Sequence, residues 1–125
     1  MSMSFKSFST TIANTLSQSE QRRAYDRYIV PTPARIYFQA ALGIGNGVDF
    51  ANPRRPPLLL IAASEDRAST SSMVKAMYRK HSHAPSRTDI HEFPNRSHWV
   101  IAEPGWEEVA DKTLKWSEVN AKPVG

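Results

Sequence analysis

The sequence predicts a mixed α/β chain: a helical N-terminal segment, then a βαβα unit whose two strands run parallel. Two observations carry this. Leu58 to Ala63 is an unbroken apolar run directly after Pro56-Pro57, with the length of a strand buried on both faces. Beyond it, a segment with helical spacing (Met73, Val74, Met77, Tyr78) separates this run from a second strand-like stretch, Thr88 to Phe93. Strands joined through a helix take a right-handed, parallel connection.

The elements follow in order. Phe5, Phe8 and Ile12 have the spacing of a short helix. Ser17 with Glu20 three residues on forms a capping box, predicting a helix through Tyr25 and Tyr28 that Pro31 stops. Thr32-Pro33 opens a second helix, with Ile36, Tyr37, Ala40 and Ala41 as its apolar face and Gly43 as its cap. Gly43, Gly45 and Gly47 lack the spacing of a phosphate-binding loop, and they follow a helix instead of a strand, so they read as a connector. After Phe93, a loop runs through His98. Pro104 opens the last helix, with Trp106, Val109, Ala110, Leu114 and Val119 expected to face inward. The division expected is residues 1–52, helical, and 53–125, βαβα.

Composition narrows the function. The 125 residues are 40% hydrophobic and 22% charged, an ordinary globular balance. There is no cysteine, which removes disulfides, thiolate nucleophiles and Cys-based zinc sites. No apolar run approaches the roughly 20 residues that cross a bilayer. The Ser/Thr-rich N-terminus lacks the apolar stretch of a signal peptide, and a cytoplasmic location is the expectation. The net charge of +4 comes from scattered pairs such as Arg22-Arg23 and Arg54-Arg55. They lack the aromatic interleaving of a single-strand binder, so no nucleic-acid partner is expected. His81, His83, His91 and His98 lack acidic or cysteine partners at zinc spacing, so no metal or other cofactor is expected.

Two residues stand where chemistry is expected. Asp66 lies just past the carboxyl end of the first strand and His98 just past that of the second. Parallel neighbours bring those loops to one edge of the sheet, where open α/β folds hold their sites. There a carboxylate can fix an imidazole tautomer and stabilise the imidazolium. The simpler alternatives are a loop carboxylate that caps the next helix or holds Arg67, and a loop histidine packed beside Trp99.

The local sequence resembles the α/β-hydrolase superfamily. Arg55-Pro-Pro-Leu-Leu-Leu-Ile-Ala-Ala-Ser-Glu-Asp66 is similar to its acid strand and loop. Phe93-Pro-Asn-Arg-Ser-His98 is similar to its Phe-Pro-Gly-Arg-Ser-His histidine loop. Glu103-Pro-Gly-Trp-Glu-Glu-Val-Ala-Asp111 is similar to its C-terminal helix. Asn14 to Glu20 and Tyr25 to Ala41 resemble its cap. The resemblance covers about Phe5 to Ala121 and keeps the order acid, then histidine. It implies a partial α/β-hydrolase fold with Asp66 and His98 as triad acid and base.

The nucleophile is absent. The family carries it in a Gly-x-Ser-x-Gly elbow, and no such motif occurs here. Ser64, Ser69, Ser71, Ser72 and Ser97 lie near the site in sequence, but none sits in a strand-to-helix elbow. The resemblance therefore implies the C-terminal portion of a serine hydrolase, beginning inside the cap and inactive by itself. A small-molecule substrate would be processed only if a nucleophile half were supplied. The alternative is a non-catalytic, hydrolase-like interaction protein. With a single partner strand in view, the first strand keeps an open edge, which predicts homodimerisation, aggregation or a disordered N-terminal half.

Overall fold

Pro56 and Pro57 deliver the chain into β1 (Leu58–Ala63), which pairs in parallel with β2 (Thr88–Phe93) from Leu58 opposite Thr88 to Ala63 opposite Phe93. The computed structural model describes residues 2–43 and 45–121, Tyr37 by its backbone alone. Among them this two-stranded sheet is the only one. Helix α4 (Ser71–His81) connects the strands and packs on both. Helix α5 (Trp106–Asn120) follows β2. The expected βαβα order is therefore present, in a chain of mixed helix and strand.

Before it come α1 (Phe5–Ser7), a π-helical segment (Phe8–Ile12), α2 (Gln18–Tyr28) and α3 (Ala34–Ala41). Ser17 caps α2 as expected: its hydroxyl accepts the Glu20 N–H while the Glu20 carboxylate accepts the Ser17 N–H. Pro33 sits one position earlier than expected, as the residue before α3 instead of its first. Gly43 follows α3 with φ of 71°, the left-handed conformation that ends helices.

Two small cores result. One joins buried Phe8, Ala13 and Ala24 to Ile12, Leu16, Tyr25, Ile29 and Trp99. The Phe8 ring meets the edges of Tyr25 and Trp99 at 5.7 and 5.5 Å. The helical segments between Phe5 and Tyr28, joined by a turn over Ala13 to Ser17, are seated on the loop that carries Trp99. The other core lies at the carboxyl ends of the strands, where Ala62, Ala63 and Phe93 are buried, along with Val109 of α5.

Three burial expectations are corrected. Leu58 to Ile61 are only half-buried, since one partner strand and one packed helix leave part of β1 uncovered. Of the α5 residues expected to face inward, only Val109 is buried. Trp106, Ala110, Leu114 and Val119 are exposed, the last at 79%. Strands about 4.8 Å apart give two of them too narrow a platform for a whole helix face. The face expected of α3 is also open, with Ile36 and Ala40 exposed, while the Tyr37 side chain lies outside the described residues.

Candidate acid–histidine site

The carboxyl ends of β1 and β2 are tied together before any functional side chain is placed. The Ser64 N–H donates to Phe93 O, continuing the ladder, and the Glu65 N–H donates to Arg96 O at 2.8 Å. The Ser64 hydroxyl accepts the Asn95 N–H at 2.8 Å. Asn95 has φ of 56°, a left-handed turn that swings the chain back toward the β1 loop.

This turn brings together the two residues expected to act together. His98 Nδ1 lies 2.8 Å from Asp66 Oδ2. The other Asp66 oxygen accepts the backbone N–H groups of Ala68 and Ser69, each at 2.8 Å. One oxygen therefore holds the loop that leads into α4 and the other holds the histidine; α4 itself begins after Thr70 and receives no side-chain cap, so the expected helix-capping role is not what Asp66 does. Arg67 is not held by Asp66; it reaches Thr10 O at 3.4 Å. The Asp66 side chain is 8% exposed and that of His98 40%. An ionised carboxylate can only accept, so the proton between them sits on Nδ1; in the neutral ring the lone pair is then on Nε2. Nε2 has no hydrogen-bond partner among the described residues and belongs to an exposed ring.

No serine completes a triad. Ser97 is fully buried and donates to Glu103 at 2.8 Å. Ser71 bonds Glu92 at 2.9 Å, Ser72 pairs with Thr70, and Ser64 is engaged with Asn95 and Glu65. Ser69 contributes its backbone N–H to Asp66. None hydrogen-bonds His98.

Comparison with protein-family models, curated proteins and solved structures returns no match. The site is known by its geometry.

The surroundings contain residues that sequence reasoning did not single out. Glu103, 3% exposed, accepts from Ser97 Oγ, from Ser97 N at 3.4 Å and from Thr15 Oγ1 at 2.7 Å. Its second oxygen is buried without a hydrogen bond and lies 3.8 Å from the Arg96 guanidinium. Arg96 also donates to the carbonyls of Pro104 and Gly105 and to Glu108. The only sequence signal was that Arg96, Ser97 and Glu103 fall inside the quoted motifs; a bond spanning 88 residues leaves no local trace.

Two of the remaining histidines pack against aromatic rings. The His81 ring meets Phe50 at 4.9 Å and His91 meets Phe93 at 4.6 Å. Among the described residues no group of three or more His, Asp or Glu is arranged to hold a metal, and no helix is long and apolar enough to cross a membrane. Arg22 pairs with Asp26, and Arg87 with Asp89.

Proposed function

We propose that this chain carries the acid and base of a serine-hydrolase-like acyl-transfer site, as the C-terminal portion of an α/β-hydrolase, with the nucleophile and oxyanion donors outside these residues. What carries the reading is the 2.8 Å Asp66–His98 contact at the carboxyl edge of two parallel strands, with Nε2 bare and exposed. Asp66 selects the tautomer and stabilises the imidazolium; His98 Nε2 accepts the proton of an attacking hydroxyl and returns it to the leaving group. Asn95 adds support. It occupies the glycine position of the resembled Phe-Pro-Gly-Arg-Ser-His loop and takes the positive φ a glycine there would serve.

The test is ester chemistry with and without a surrogate nucleophile. The chain alone is expected to hydrolyse p-nitrophenyl acetate no faster than an equal concentration of imidazole. Added trifluoroethanol is expected to give acyl transfer to the alcohol that is lost in His98→Ala and slowed in Asp66→Asn. Transfer indifferent to His98→Ala would sink the base assignment. Ester turnover without alcohol that vanishes in His98→Ala would make the chain an esterase in its own right.

A second reading, a non-catalytic hydrolase-like interaction protein, draws on a groove of about 460 Å³ between β1 and α5, lined by Ile61, Ile101, Trp106, Val109, Thr113 and Leu114 among others. Self-association through this groove together with a blank in the alcohol assay would favour it.

A further inference from the structure

Asn14 and Thr15 are adjacent in the sequence, yet they bond to two different loops of the site. Asn14 Nδ2 donates to Glu65 O at 3.0 Å, the carbonyl immediately before Asp66. Thr15 Oγ1 donates at 2.7 Å to Glu103 Oε2, the same oxygen that accepts the Ser97 hydroxyl, immediately before His98. A third bond lies alongside: the Trp99 N–H, immediately after His98, donates to Ile12 O at 3.0 Å. The residues flanking both members of the dyad are thus fixed to one short stretch, Ile12 to Thr15.

This stretch has little freedom of its own. Ala13 is fully buried, and the π-helical turn before it is anchored by Phe8, also fully buried. Gln21 of α2 donates to Ala13 O at 2.9 Å, so the stretch is held from behind as well. Glu103 is held in turn, its free oxygen facing Arg96, which is fixed by the carbonyls of Pro104 and Gly105. A buried carboxylate that accepts from two chain segments and faces a fixed cation transmits position well, because any shift leaves a buried donor or acceptor unpaired.

We propose that Ile12–Thr15 is a clamp that holds the Asp66 and His98 loops in register, with Asn14 the positioning residue on the acid side and Glu103, through Thr15 and Ser97, the one on the histidine side. The inference rests on the dyad reading of Asp66 and His98 and extends it to residues that touch neither ring nor substrate. A hydrogen-bonded contact of 2.8 Å is lost with a shift of less than 1 Å, so the clamp decides whether Asp66 holds His98 in one tautomer.

The test reads the tautomer directly, through the ring nitrogen resonances of His98 at a pH where the imidazole is neutral. In the unaltered chain Nδ1 and Nε2 are expected to resonate far apart, as protonated and bare nitrogens. In Asn14→Ala, Thr15→Val and Glu103→Gln the two resonances are expected to converge as tautomers mix. Should Glu103→Gln fail to fold, the other two variants, which leave the buried Ser97–Glu103 contact intact, decide the matter. Ser17→Ala, which weakens α2 without touching either loop, is expected to lower the melting temperature and leave the resonances apart. Wild-type separation retained in both Asn14→Ala and Thr15→Val would overturn the clamp, as would equal convergence in Ser17→Ala. Mixed tautomers already in the unaltered chain would overturn the dyad itself and the clamp with it, whereas a failed ester assay with separated resonances leaves the clamp standing.

Discussion

Asn95 concentrates much of the site's geometry in one backbone torsion. Its φ of 56° is tolerated by asparagine and glycine and costs other residues roughly 1–2 kcal/mol. Asn95→Gly should therefore leave stability within about 0.5 kcal/mol, whereas Asn95→Val should lose about 1–2 kcal/mol in chemical denaturation and weaken the Asp66–His98 contact. Equal stability of the two variants would show that the turn does not depend on this torsion. Gly105 is a harder case. With φ of 83°, a Cβ there would also lie 2.7 Å from Arg96 Nη2, so alanine would press on the guanidinium that faces Glu103. Asp66 and His98 were legible in the sequence because each follows a recognisable strand, and strand ends are local features. Glu103 and Thr15 were not, since their bond exists only once residues 88 positions apart meet.

At the scale of elements, legibility tracked local chemistry. The bounds of β1 and β2 follow from an apolar run and from prolines, and the start of α2 from the Ser17–Glu20 box. Hydrogen bonds from Ser17, above all, lower the Glu20 pKa, so the box is strongest with that carboxylate ionised. Ser17→Ala should cost about 1 kcal/mol. What failed was the inward face of α5, because helical periodicity says which residues share a face but not how wide a surface waits for it. In the sequence Arg55 stood out only as half of a basic pair and as the lead-in to β1, yet it joins three elements. Its guanidinium donates to the carbonyls of Pro56, His81, Ser86 and Arg87 and to the Thr88 hydroxyl, tying the end of α4 to the starts of both strands. Arg55→Ala should therefore lose roughly 2–3 kcal/mol, and lysine, a single point of charge, should recover only part of it. A lysine variant as stable as the unaltered chain would mean that the forked geometry is unimportant.

For the whole molecule, α5 is joined to the sheet by little more than Val109 and one polar contact, the Trp116 Nε1–H donating to Asp89 Oδ2 at 2.6 Å. That bond first, and the Arg87 guanidinium after it, hold the Asp89 carboxyl below its ordinary 3.8, although partial burial pulls it upward. A group whose folded pKa is depressed stabilises the fold above its unfolded value, and that contribution is lost as pH falls through the folded one. Melting temperature should therefore drop on acidification below about pH 4, with Asp89→Asn flattening part of the drop. An unchanged acid profile in that variant would disconnect α5 from it. Ile101, Trp106 and Leu114 are exposed at 75%, 46% and 58% beside a strand edge that has no partner strand among the described residues. Along β1, the Leu58 and Ser64 N–H groups turn to β2, so by parallel alternation those of Leu59 and Ile61 point to the open edge. β1 carries no charge and no internal proline to discourage pairing. We therefore expect concentration-dependent self-association in size-exclusion chromatography with light scattering. Ile101→Glu with Leu114→Glu should reduce it without lowering the melting temperature, since neither side chain contributes to the core. A compact monomer at every concentration would refute the expectation, and association that survives both glutamates would move it from the α5 groove to the bare edge of β1.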